Sequence, residues 1–189
     1  MEPKNILDVT TREEFRQWLE KNHDQKSECW AVAKKGKHKP KNQLWYLDAV
    51  EEALCFGWID TTHKRIDGVD MQRFTPRKKR SQWSELNKER CRRLERLGLM
   101  TDAGRKKLPD MAVASFKIDR DIQAAFANHP QAWRNFHSFP PLYQLVRIDS
   151  IQRDKKTERD VFDHRLAKLI EKSAQGKMFG EWNDYGRLL

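Results

Sequence analysis

The chain has 189 residues, enough for one ordinary domain or two small ones, and for a hydrophobic core that needs no disulfide or metal to stabilise it. Charged residues make up 35% of the chain, but seven tryptophans and an aromatic content of 10% exclude a disordered protein. The formal net charge of +10 favours an acidic partner, such as nucleic acid or a phosphorylated ligand, without identifying one.

The cysteines and the hydrophobic pattern predict a location. Cys29, Cys55 and Cys91 are odd in number and form no CxxC pair, which is typical of free thiols in a reducing compartment. The first ten residues lack the apolar stretch of a secretion signal, and no apolar run approaches the roughly 20 residues that span a bilayer. We therefore expect a cytoplasmic protein that does not insert into membranes.

The N-terminal part of the chain predicts a helix, a strand and a second helix. Thr11 and Glu14 form the capping box of a helix over 11–22. Residues 28–34 contain β-branched and aromatic side chains and predict a strand. A second helix over 46–56 ends at Gly57. Its apolar side chains define a buried face, so its acidic residues are expected to face solvent: Asp48, Glu51 and Glu52.

The middle of the chain predicts a β-hairpin followed by a helix. Two strands, over 58–65 and 69–75, flank an Asp67-Gly68 pair that is a strong turn signal. The next helix runs to about residue 97, and its predicted N-cap is Ser81 or Ser84. Thr101 then caps a short helix that stops near residue 109.

The remaining chain predicts helices only, with starts near Ile118, Pro130 and Leu142 and a last start capped by Thr157. The predicted fold class is therefore α+β: a small antiparallel sheet packed with helices, followed by an all-helical C-terminal unit. The predicted boundaries are an α+β domain over 1–111 and a helical unit over 112–189.

A run of basic residues between the hairpin and the following helix predicts an anion site. It consists of Arg73, Arg77, Lys78, Lys79 and Arg80. The free N–H groups and positive dipole of a helix N-terminus would add directed donors to these charges. A solvated surface loop is an equally good interpretation of a run of like charges.

Aromatic and acidic residues border this run. Trp58 is best interpreted as a core residue, whereas Trp83, in the first helical turn, is the better candidate for an exposed wall against a planar ligand. Asp60 lies on the same strand face as Trp58, and such an acid is expected to pair with an arginine; Arg73, on the neighbouring strand, is the candidate. Asp60 and His63 are the weak candidates for acid–base catalysis.

Other signatures of chemistry are missing from the sequence. The six histidines form no HxxxH, HxH or HExxH spacing, so we expect no metal site. There is no Gly-rich phosphate loop, GxSxG or dinucleotide-binding motif, so we expect no cofactor.

Several motifs resemble a known family. The GWID element at 57–60 and the TPRK-x-x-S-x-WS element at 75–84 with Asn87 are similar to motifs of the YdeI/OmpD-associated family, also described as bacteriocin-protection proteins. The segments FANHPQAWRNFHSFPP and KKTERD resemble that family's helical tail, although KKTERD departs from its usual lysine-rich form. The resemblance implies no agreed reaction or cofactor.

Three functions remain open. The first is binding of an anionic small molecule or phosphate group by the segment 58–87, through Trp58, Asp60, Arg73, Arg77, Lys78, Ser81, Trp83, Ser84 and Asn87. The second is nucleic-acid binding through a basic face formed by 73–80 and the following helix. The third is an enzyme that uses Asp60 as acid or base. The sequence does not predict the oligomeric state.

Overall fold

The structure is a computed structural model that describes residues 2–79 and 81–188. Within these residues the strands are β1 (Ile6–Leu7), β2 (Cys29–Ala31), β3 (Ala33–Lys34), β4 (Leu44–Trp45), β5 (Trp58–Ile66) and β6 (Val69–Pro76). The α-helices are α1 (Arg12–Asn22), α2 (Tyr46–Cys55), α3 (Glu85–Arg96), α4 (Asp102–Arg105), α5 (Arg120–Ala127), α6 (Pro130–Ser138), α7 (Pro141–Gln152) and α8 (Arg159–Ala174), and a 3₁₀ turn covers Val113–Ser115.

The chain divides into two compact units. The N-terminal unit comprises the described residues up to Gln82 together with Glu89–Pro109. The C-terminal unit comprises Trp83–Lys88 and the described residues from Asp110 onward. All strands belong to the first unit, and the helices α5 to α8 belong to the second. That these units are separate domains stays a prediction.

The main sheet has four strands in the order β1-β2-β6-β5. The pairs β2–β6 and β6–β5 are antiparallel, whereas β1 is parallel to β2. The α+β class is confirmed, and the sheet is mixed where a wholly antiparallel one was predicted. A second, two-stranded sheet pairs β3 with β4 in parallel. Strands of two residues leave no alternation in the sequence, which is why β1 and β4 were missed.

The long hairpin β5–β6 was predicted from its turn. Asp67 and Gly68 have φ angles of 48° and 80°. Two positive φ angles define a type I′ turn, whose twist matches that of the strands it joins. The register shifts between Asp60 and His63, which is a β-bulge. Asp60 lies opposite Phe74, and the exposed His63 lies opposite the buried Gln72.

The core of the N-terminal unit lies between the sheet and helices α1 and α2. Phe15 of α1 packs on Phe74 of β6, with ring centroids 5.1 Å apart. The predicted capping box of α1 is present: Thr11 accepts from the Glu14 N–H, and the Glu14 carboxylate accepts from the Thr11 N–H. Gly57 follows α2 with a φ of +71°, as a helix C-terminus requires.

The C-terminal unit has its own aromatic-rich core. Pro130 and Pro141 each start a helix, as the missing proline N–H allows. The helix α8 begins at Arg159 with Glu158 at its N-cap and no side-chain cap, so the predicted cap at Thr157 is wrong. The fully buried side chains of this core include Ile122, Phe126, Phe136, Tyr143, Phe162 and Leu169.

Candidate functional site

Trp58 is a core residue. Its side chain is 1% exposed, its indole N–H donates to the His23 carbonyl at 3.0 Å, and its ring meets Trp18 edge-on at 5.8 Å. A ligand at the surface cannot stack on a ring in this position. Trp83 is half-buried and belongs to the C-terminal unit.

Asp60 is held by a tyrosine. The Tyr46 hydroxyl donates to Asp60 Oδ2 at 2.5 Å, and the Lys35 ammonium lies 4.9 Å from the centroid of the Tyr46 ring. Asp60 is half-buried. The expected Asp60–Arg73 pair does not form, because each of these residues has found another partner.

Arg73 pairs with Glu28. Its Nε donates to Glu28 Oε2 at 3.0 Å, and a second guanidinium N–H donates to the same oxygen. The other carboxylate oxygen accepts from the Lys4 N–H at 3.0 Å and the Trp30 indole at 3.2 Å. Burial raises the pKa of Glu28, but these hydrogen bonds from Lys4, Arg73 and Trp30 outweigh it and the pKa is lowered.

Arg77 is buried and organises the turn after β6. Its side chain is 3% exposed, and its Nη1 donates to the Gln82 carbonyl at 3.2 Å. Its backbone N–H donates to the Gly57 carbonyl at 2.9 Å, and the Ser81 N–H donates to the Lys78 carbonyl at 3.0 Å. Burial lowers the pKa of Arg77 to about 10, and attraction from Cys91 and Asp60 offsets only part of that effect.

The exposed cations of the predicted basic run lie on this turn. Lys78 and Lys79 are exposed and Ser81 is half-buried. Arg80 lies outside the described residues. A backbone hydrogen bond joins Ser81 to Lys78, and the buried Arg77 side chain donates to the Gln82 carbonyl of the same turn. Among the predicted site residues, Asp60 and Arg77 lie close enough for their charges to interact.

The helix α3 begins at Glu85, and Ser84 is its cap. The Ser84 hydroxyl accepts from the Asn87 N–H at 3.1 Å, and the Glu85 N–H donates to the carboxylate of Asp149 at 3.1 Å. Ser81 is therefore not the cap. The sequence predicted that the N–H groups at this helix start would bind an external anion. The N–H groups of Glu85 and Asn87 instead donate to side chains of the C-terminal unit. Burial raises the pKa of Asp149, and the Arg153 charge and the Glu85 N–H offset this only in part.

The acidic residues of α2 are buried, so the prediction that they face solvent is wrong. Asp48, Glu51 and Glu52 are at most 2% exposed. A buried carboxylate is stable only when it is paired and hydrogen-bonded. We call these three residues the α2 carboxylate cluster.

Arginines from two other helices neutralise the α2 carboxylate cluster. Arg12 of α1 donates Nε to Glu52 at 2.5 Å and Nη1 to Glu51 at 2.8 Å. Arg93 of α3 donates to Glu51 at 3.0 Å. Burial lowers the pKa of Arg12, but attraction to Glu52 and Glu51 outweighs it and the pKa is raised. The cluster therefore joins helices in the fold, and no sequence motif marks it.

Several basic residues of α3 also have carboxylate partners. Arg92 contacts Glu89 at 2.9 Å, and Arg96 contacts the same carboxylate at 3.5 Å. Lys88 contacts Glu85 at 2.7 Å. The predicted basic face for nucleic acid thus has acids interspersed along this helix.

Neither catalysis by His63 nor metal binding gains geometric support. His63 is exposed, and no hydrogen bond joins it to Asp60 in the described part of the chain. In residues 2–79 and 81–188, no group of three His, Cys, Asp or Glu side chains is arranged to hold a metal ion. Within the same residues, no helix is both long enough and apolar enough to cross a bilayer.

The fold and these contacts define a class: an α+β protein with a long hairpin, a buried arginine at the hairpin's base and a helical C-terminal unit. Residues 7–107 match the family described as a domain of unknown function, DUF8412, and residues 115–176 match the family described as Bacteriocin-protection, YdeI or OmpD-Associated. The chain belongs to the first family, whose model covers more than half its length. Residues 115–176 are similar to the YdeI or OmpD-associated family.

The family resemblance inferred from the sequence is confirmed by the C-terminal match. The GWID and TPRK elements lie within the span of the N-terminal match. No curated protein and no solved structure matches the chain.

Proposed function

We propose that the chain binds an anionic small molecule at the turn that follows β6. We define the turn site by Tyr46, Asp60, Arg77, Lys78 and Lys79. The two lysines would contact the anion directly, and Arg77 would stabilise it through its charge. This interpretation keeps the ligand class expected from the sequence. It gives no contact role to Trp58, Arg73 or the start of α3, because each of these is engaged within the protein.

The buried guanidinium of Arg77 carries the proposal. Moving a cation out of water costs free energy, and its surroundings lower the Arg77 pKa to about 10 because burial outweighs the attraction of Cys91 and Asp60. An anion bound at the adjacent turn would add a favourable Coulomb interaction with this charge. A bound anion is therefore expected to be stabilised more strongly at this turn than at an exposed loop without a buried cation.

The turn is also pre-organised. Its backbone is fixed by hydrogen bonds from Arg77 to Gly57 and Gln82 and from Ser81 to Lys78. A binding loop that is ordered before the ligand arrives loses less entropy on binding. The carboxylate of Asp60, oriented by Tyr46, would contact a donor group of the ligand. The same pair is the geometric support for the alternative in which Asp60 serves as acid or base.

The test is a calorimetric titration of the full chain with inorganic phosphate and with citrate at low salt, which measures the affinity for each anion. Replacing Lys78 and Lys79 by alanine is expected to weaken binding about tenfold, as the loss of one to two charge-assisted contacts predicts. The matched control is Lys64→Ala with Arg65→Ala, which removes the same charge from the exposed part of the hairpin. An equal loss in both double variants would show that only net charge matters and would refute the turn site.

A short DNA duplex provides a further arm of the experiment. Tight DNA binding that falls steeply with salt, together with no response to phosphate or citrate, would replace the small-anion proposal by the nucleic-acid alternative. The cytoplasmic location stays a prediction from the sequence.

A further inference from the structure

The C-terminal unit contains a separate basic cleft. It has a volume of about 530 Å³ and lies between α7, α8 and the segment around Phe179 and Gly180. Pockets of about 300–1,000 Å³ are typical of small-molecule sites. Four lining side chains are cationic, a fifth is His164, and none is a carboxylate; the cations are Arg147, Arg153, Arg165 and Lys168.

Two of these cations are neutralised by acids outside the cleft. Arg153 contacts Asp149 at 3.2 Å, and Arg165 contacts Asp154. The charges of Arg153 and Arg165 are therefore largely neutralised by ion pairs within the protein.

The other two cations, Arg147 and Lys168, have no carboxylate within ion-pair distance among the residues that the structure describes. Both instead approach the ring of Phe179: the Arg147 Cζ lies 5.0 Å and the Lys168 Nζ 5.3 Å from its centroid. Cation–π contacts hold both charges on one ring without neutralising either. Two like charges near the same ring repel each other, and a bound anion that contacts both would relieve this repulsion.

Arg147 is fixed in this position. Its Nη2 donates to the Glu181 carbonyl at 2.8 Å, and its guanidinium lies 5.5 Å from the Tyr143 ring centroid. Burial lowers its pKa, and attraction from Tyr143 and Glu181 only partly opposes this. Gly180 allows the close approach of the backbone, because a Cβ at that position would lie 2.8 Å from Arg147 Nη2.

We propose that this cleft binds the phosphate group of a small phosphorylated molecule, with Arg147 and Lys168 as its cationic contacts. A phosphate dianion matches two cations that have no carboxylate at ion-pair distance among the described residues, and a planar guanidinium can donate two parallel hydrogen bonds to it. The cleft is much larger than one phosphate group, so the ligand carries further atoms that lie along α8 towards His164. This site is distinct from the turn site, which belongs to the N-terminal unit.

The experiment maps binding by nuclear magnetic resonance on the full chain, with inorganic phosphate as probe and acetate at equal ionic strength as comparison. Phosphate is expected to shift the amide signals of Lys168 and Gly180, and acetate is expected to shift them much less. The variant Lys168→Ala is expected to bind phosphate about tenfold more weakly at this site, the usual effect of losing one charge-assisted contact. No shift at these amides with phosphate, or an equal shift with acetate, would overturn the proposal.

The matched control is Lys172→Ala. Lys172 lies one turn further along α8 and is paired with Glu171 at 2.9 Å, so its loss removes the same charge without touching the cleft. Equal weakening in the two lysine variants would also overturn the proposal.

A second variant, Gly180→Ala, tests the position of Arg147 without removing a charge. It is expected to weaken phosphate binding, because the new methyl group displaces the guanidinium. Unchanged affinity would exclude Arg147 as a contact. The variant of Lys78 and Lys79 should leave the signals at Lys168 and Gly180 unchanged, so the two sites succeed or fail independently.

Discussion

Glu28 illustrates how a single buried side chain connects distant parts of the chain. Its carboxylate accepts from the Lys4 backbone, from the Trp30 indole and from the Arg73 guanidinium. Each donor comes from a different strand or its flank, so this one residue ties β1, β2 and β6 together. The Arg73 charge, expected at a ligand site, instead supports the sheet.

Replacing Glu28 by Gln is expected to destabilise the protein at pH 7 by about 2 kcal/mol, the usual effect of leaving a buried hydrogen-bonding partner unsatisfied. The pKa of Glu28 is lowered in the folded protein, so its ionised form stabilises the fold above the unfolded value of 4.5. This contribution is lost as the pH falls through the lowered folded pKa. Urea unfolding of wild type and variant should therefore differ at pH 7 and converge in strong acid; a difference that persists there would contradict the assignment.

The acids of α2 show where residue-level reasoning failed. Their spacing opposite the apolar face of the helix predicted a solvated surface, yet Glu51 and Glu52 are at most 1% exposed. The arginines that neutralise them lie 36 to 42 positions away in the chain. A local sequence pattern does not indicate an ion-pair partner that is so far away along the chain. The sequence therefore could not show whether these acidic side chains are buried or exposed.

At the scale of elements, the short helix α4 shows a close contact that depends on one glycine. The Thr101 hydroxyl donates to the Cys55 carbonyl at 2.6 Å and accepts from the Gly104 N–H at 3.3 Å. It thus caps the end of α2 and the start of α4 together. Gly104 makes this approach possible, because a Cβ there would lie 2.2 Å from the Cys55 oxygen.

The variant Gly104→Ala is expected to destabilise the protein by about 3 kcal/mol, since the added methyl group forces the backbones of α2 and α4 apart. The control is Gly98→Ala, at a position with a φ of +67° and no heavy atom within 4 Å of the new Cβ. Only backbone strain applies there, and the expected loss is about 1 kcal/mol. Urea midpoints of both variants measure the difference; equal losses would show that the contact with Cys55 is not tight.

Elements with local signals were predicted well. The Asp67-Gly68 turn, the capping box at Thr11 and the proline that starts α6 each act through neighbouring residues, and all are present. The start of α3 was ambiguous, because Ser81 and Ser84 are both good caps. Tertiary contact decided it, since Asp149 binds the N–H of Glu85.

At the scale of the whole molecule, the reactivity of the three cysteines measures the unfolding of the N-terminal unit. Cys29, Cys55 and Cys91 are all free, buried and located in the N-terminal unit. Burial raises the pKa of all three thiols, for Cys55 and Cys91 to about 12. At pH 8 they are therefore protonated as well as inaccessible, and a protonated thiol is a poor nucleophile.

Labelling of the native protein with a thiol reagent at pH 8 is accordingly expected to be slow and limited by unfolding of the N-terminal unit. In urea, all three thiols should react at once. The measurement is the time course of labelling, compared with tryptophan fluorescence over the same urea series. A thiol that reacts rapidly in the native protein would contradict the burial of these three cysteines.

The sequence by itself determined the α+β class, the hairpin and most helix starts, because turns, caps and apolar periodicity are local properties of the chain. Its motifs also showed the resemblance to the YdeI/OmpD-associated family. Only the tertiary structure decided what the charged residues do. It paired Arg73 with Glu28, buried the α2 carboxylate cluster among arginines and placed Asp60 against Tyr46. The reason is physical: a charge is neutralised by whichever opposite charge the fold brings within a few ångströms, and that distance is unrelated to separation along the chain.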